Sequence, residues 1–211
     1  PERITTNALA GGLALEVEFR KGPGHNHPLM AVWLEDEDGS YIETLYVAKS
    51  IGTGIFGHGT VKEGHWAPGP VSRPAALPRW WHRYGYLPGP DNPVPDAITG
   101  PTPEADFIIE TKSTVDLPSR FRVVMEINQS WDWNEYWSNV KYPDNEAYKT
   151  SSQPAVVYEA VVDRDVPEKI YPMQLVGRSH YAGEDGKLYN DLETLTTARE
   201  IAASVKVRIL P

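Results

Sequence analysis

The chain has no cysteine among its 211 residues. Disulfides, thiolate zinc sites and a cysteine nucleophile are therefore excluded. The compartment is not fixed by this, because an exported bacterial protein can dispense with cysteine as readily as a cytoplasmic one. No run of Lys and Arg occurs, and the formal net charge is −9. That excess argues against a nucleic-acid partner and against an anionic membrane surface. No stretch reaches the ~20 apolar residues of a transmembrane helix. Residues 1–6 lack a charged segment followed by an apolar one, so no signal peptide is visible. The first residue is Pro rather than Met. The expectation is a trimmed form from which a leader has been removed.

What is present is β-strand patterning. Leu13, Leu15, Val17 and Phe19 alternate with polar neighbours, the period of a half-buried strand. Residues 30–34 and 41–47 read as two strands of a hairpin joined by the acidic turn Asp36-Glu37-Asp38-Gly39. That turn resembles part of a calcium loop but lacks the remaining oxygens and a distal Glu. Further strands are expected over 107–110, 121–127, 156–162, 170–176 and 205–209. In the 170–176 run Pro172 demands an edge or a bulge. Helix is scarce. Pro78 at a first helical position starts a short one over 78–84. Thr197 and Glu200 have the spacing of a capping box for another, running to about Ala203. About eight strands at turn-separated intervals predict an all-β, antiparallel two-sheet sandwich of immunoglobulin-like type, one domain over 1–211.

Residues 48–106 interrupt the pattern with Gly, Pro, His and aromatics. Insertions this long are usually functional or disordered, and this one is too aromatic for disorder. It supplies Trp66, Trp80, Trp81, Tyr84 and Tyr86 as a candidate binding face. A second aromatic segment follows the 121–127 strand and contains Trp131, Asp132, Trp133, Glu135 and Trp137. Flat rings for sugar faces and carboxylates for hydroxyls are what a carbohydrate site needs. Asp132 and Glu135 stand too near each other for acid and base roles to be assigned. The plainer alternative is that these rings pack beneath the insertion as a satellite core.

Six histidines offer a competing reading. His25 and His27 could chelate a metal from an extended segment, with His58 or His65 as third ligand and Glu63 or Asp132 as base. No metalloprotease frame supports it. Serine-hydrolase chemistry lacks a Gly-x-Ser-x-Gly elbow. The glycines at 52, 54 and 57 match a dinucleotide fingerprint only in spacing, since no helix pattern follows.

Several stretches resemble a bacterial family of unknown function, DUF2271. They are residues 31–36, 41–47, 77–81, 96–102 and 121–128, in that order, over the first two thirds of the chain. The resemblance implies an exported, periplasmic or secreted β-sandwich and assigns no activity. It also suggests that Asp96 ties the Thr99-Gly100-Pro101 turn to the Trp80-Trp81 segment by accepting backbone N–H bonds. The resulting expectation is a non-enzymatic binding or accessory domain that contacts a glycan or another exported protein through aromatic rings, with no cofactor. The metal-dependent enzyme is the alternative.

Overall fold

A computed structural model of the chain describes residues 1–166 and 169–211. Strand makes up 42% and helix 12%, which places the protein in the all-β class. In chain order the strands are β1 (Glu2–Thr5), β2 (Ala14–Lys21), β3 (Leu29–Glu35), β4 (Tyr41–Ala48), β5 (Ile55–Lys62), β6 (His65–Pro70) and β7 (Thr99–Gly100). There follow β8 (Phe107–Lys112), β9 (Arg120–Asn128), β10 (Val156–Asp163), β11 (Ile170–Pro172), β12 (Gln174–Arg178) and β13 (Ala202–Ile209). Three short helices join them: α1 (Lys49–Thr53), α2 (Pro78–Tyr84) and α3 (Glu146–Ser151).

One sheet runs β1-β8-β2-β13-β11, the other β12-β10-β9-β3-β4-β7, and β5 and β6 form a separate ribbon. The expected antiparallel pairing holds in the sheet centres but not at two edges. There β1 lies parallel to β8 and β7 parallel to β4, so both sheets are mixed. The two sheets share one apolar cluster. Leu15, Val17 and Phe19 of β2 and Phe107 and Ile109 of β8 meet Met30, Val32 and Leu34 of β3 and Val123, Met125 and Ile127 of β9. Alternation thus puts the expected residues inward, giving a sandwich.

The outer face of the second sheet is also buried. Leu29, Ala31, Trp33, Val47, Val124 and Val157 form a second cluster there with Ala76, Leu77, Trp80 and Val94 from the 48–106 segment. A sheet covered on both faces explains the near-continuous apolar run of β3, every residue of which is buried.

Two sequence expectations fail locally. The 170–176 run is two strands in different sheets, with Met173 between them, its N–H bonded to the Val205 carbonyl at 2.9 Å. The capping box does not form. Residues 197–200 make one 3₁₀ turn without a side-chain cap. The Thr197 hydroxyl instead accepts from Gln153 Nε2 and donates to the Asp132 carboxylate.

Candidate functional site

Helix α2 shows why the middle of the insertion, residues 75–80, is core rather than contact surface. Pro78 opens it and Gly85 ends it in the left-handed conformation (φ 104°), its N–H on the Trp81 carbonyl. Glu126 rises from the outer face of β9 to meet its first turn. Its carboxylate accepts the backbone N–H of Trp80 at 2.7 Å and of Arg79 at 3.2 Å, and the Ser179 hydroxyl. Complete burial pushes the Glu126 carboxyl up to about 7. The Trp80 ring is fully buried in the second core, its Nε1 donating to Thr44 Oγ1 at 2.9 Å. Glu35, also buried, accepts from Trp33 Nε1 at 2.9 Å and pairs with Arg79 and Arg83. Asp96 does not contact the Trp80 segment. Its exposed carboxyl meets the Thr99 hydroxyl and Lys49, and the carboxylate that seats α2 is Glu126.

The candidate face therefore divides. Trp80 and Trp137 are buried; Trp137 sits in the main core with Nε1 on the Thr194 hydroxyl. Trp81, Tyr84 and Tyr86 are half-buried: Trp81 donates to the Pro74 carbonyl, and Tyr84 stacks on Trp80 at 5.2 Å and accepts from the Tyr86 hydroxyl. Trp81 and Tyr84 pack against the second core, and Tyr86 lies against Tyr84 with ring centroids 4.9 Å apart. Trp66, Trp131 and Trp133 are exposed, and so is Glu135. Asp132 turns inward. One oxygen bonds the Thr197 hydroxyl, the other is buried without a partner, and burial pushes its carboxyl upward.

One groove gathers part of the exposed set. It is lined by Asn26, His27, Ser50, Phe56, Gly57, His58, Thr102, Ser130 and Trp131, and has a volume of about 530 Å³. A pocket of about 200 Å³ shares five of these residues and extends to Val71, Arg73 and Thr150. The ribbon supplies one wall. Its tip is a two-residue turn with Glu63 (φ 50°) and Gly64 (φ 79°) both left-handed, the type I′ signature. Lower down, the pairing shifts register between Phe56 and Thr60. That bulge carries Gly57 and His58 into the groove. Gly59 is required where the strands close, because a Cβ there would lie 2.1 Å from the Gly69 carbonyl oxygen.

Trp131 forms the opposite wall. It is 61% exposed, and its backbone is left-handed (φ 56°), an outlier for a bulky residue. The Thr150 carbonyl accepts its N–H at 3.0 Å and holds it there. His27 is likewise left-handed (φ 47°) and lines the same groove. Strained backbone of this kind clusters at ligand-contacting sites.

The histidines do not converge. His27 and His58 share the groove, His25 packs against Phe19 at 5.8 Å, and exposed His65 begins β6. Among the described residues no three His, Asp or Glu side chains are placed to hold a metal ion. Neither Glu63, at the ribbon tip, nor Asp132 lines the groove. The sequence reading missed Arg73, Phe56, Asn26, Ser130 and Thr150. Arg73 carried the one available signal, as a lone charge in the apolar stretch 71–77.

Comparison with protein-family models, with curated proteins and with solved structures finds no match to this chain. No helix among the described residues is long and apolar enough to cross a membrane.

Proposed function

We propose that this chain is a non-enzymatic carbohydrate-binding or accessory domain, and that the groove between the β5–β6 ribbon and Trp131 receives the sugar. The observation that carries the reading is Trp131: a large ring left mostly exposed and held in an unfavourable backbone conformation at the wall of a ligand-sized groove. A tryptophan face offers a sugar ring apolar contact area at low entropic cost. Asn26, His27, His58 and Ser130 offer hydrogen-bonding groups around it. The lining includes no Asp or Glu, whereas glycoside hydrolysis ordinarily uses two carboxylates. This supports binding without turnover.

The same reading takes the sandwich as immunoglobulin-like and the protein as an exported member of DUF2271. Support for these points is the ordered series of motifs over residues 31–128, together with strands that pass repeatedly between two sheets. A glycan array probed with the wild-type chain and Trp131→Ala tests the binding claim. Selective binding that the substitution abolishes is the expected result. A blank array would overturn it and leave a protein partner as the occupant of the exposed rings.

A further inference from the structure

We infer that the saccharide recognised in this groove is acidic, its anionic substituent pairing with Arg73. The inference rests on the carbohydrate reading above and adds the ligand's charge.

Arg73 is only 7% exposed. Two other arginines, Arg79 and Arg178, are comparably buried, and each has a carboxylate partner: Glu35 for Arg79 and Asp191 for Arg178. Among the described residues Arg73 pairs with none, although the chain carries 29 Asp and Glu. Both of its hydrogen bonds leave from Nη2 and end on neutral oxygens, Ser130 Oγ at 3.0 Å and the Thr150 carbonyl at 2.8 Å. Nε is buried without a partner among the described residues, as it is in Arg79 and Arg178, so the difference lies in the missing carboxylate. The Phe56 ring lies 5.4 Å from the guanidinium carbon.

A buried charge left without a counter-ion is strongly destabilising. Burial pulls the Arg73 guanidinium down to about 10, so it still carries its charge at neutral pH. The structure thus spends stability to keep a cation beside a cavity of about 200 Å³ whose lining has no negative charge. A carboxylate or sulfate entering that cavity supplies the missing partner, held by guanidinium donors that Ser130 and Thr150 do not already occupy. Ser130 links the two halves of the site. Its hydroxyl fixes the guanidinium, and it directly precedes Trp131, which carries the sugar face.

Matched probes separate the anion from the sugar. Oligosaccharides of galacturonate, glucuronate and mannuronate are titrated beside their methyl esters, and a sulfated galactan beside its desulfated form. At least one acidic member is expected to bind about 10- to 100-fold more tightly than its neutral partner. That preference should shrink as NaCl is raised. Arg73→Met should remove the preference for the acidic member of each pair, while Arg73→Lys keeps part of it. Melting temperatures of both variants report folding, and the wild-type salt series decides the matter if Arg73→Met does not fold. Equal binding of acidic and neutral partners by the wild type would overturn the inference and leave the carbohydrate reading standing. Binding of none of these saccharides, acidic or neutral, together with a blank array, would overturn both.

Discussion

Glu126 makes stability depend on pH in a direction opposite to most carboxylates. Its carboxyl is raised from 4.5 to about 7 by burial. Each pH unit of such a shift is worth 1.36 kcal/mol, so the difference between folded and unfolded chain comes to about 3 kcal/mol. Between these two values the folded protein keeps a proton that the unfolded chain has lost. Stability from this group is therefore full below about pH 4.5, falls as pH rises, and is gone above about pH 7. Glu126→Gln removes the titration. The amide oxygen can keep the Trp80 N–H bond, and the amide nitrogen can donate to Ser179. The Arg79 N–H then loses its acceptor, a cost of about 1–3 kcal/mol. At about pH 5 the variant should be less stable than wild type by that amount. By about pH 8.5 the gap should have closed or reversed. Urea unfolding of both proteins across this range measures the difference directly. The raised Asp132 carboxyl is common to both and cancels. Two parallel pH curves would refute the argument.

Three further substitutions probe other parts of the frame. Trp131→Gly relieves a left-handed backbone at a largely exposed position, so urea unfolding should show a gain of up to about 1 kcal/mol while saccharide binding disappears. Trp80→Phe breaks the bond to Thr44 and leaves a gap in the second core; a loss of about 2–3 kcal/mol is expected in the same assay, with groove binding unchanged. Glu63→Asn puts the preferred residue at the first position of the ribbon turn, and backbone hydrogen exchange in β5 and β6 should slow, while faster exchange would count against the type I′ assignment.

Strand positions were legible because a sandwich reads period two directly. In β9 the inward set Phe121, Val123, Met125 and Ile127 is the set that alternation selects. The same logic says nothing of what covers Glu126. An outward position in an antiparallel strand reads as solvent, and only the docking of α2, about 46 residues earlier in the chain, turns it into a buried acceptor. The parallel edge strands β1 and β7 were invisible for a related reason. Each is short, and its pairing partner lies far away in sequence. At Thr197 the spacing of a capping box was real, but Gln153 and Asp132 compete for the hydroxyl and win it.

The groove was half legible. Composition flagged Trp131 and Trp66 but could not separate them from Trp137 and Trp80, since a ring's exposure depends on what lies above it. A left-handed tryptophan leaves no mark in a pattern of residue types, because the conformation is imposed by the Thr150 carbonyl from a distant helix. Arg73 follows the same rule more sharply. In the sequence it is one of 20 basic residues in an acidic chain. Its meaning comes from having no carboxylate partner among the described residues, while Arg79 and Arg178 each have one. A protein with carboxylates to spare, which could have been neutralised at this position by one Asp in the loop after β9, keeps Ser130 there instead. A neutral anchor orients the guanidinium without satisfying its charge, which is the arrangement a site needs if the counter-ion is to arrive with the ligand.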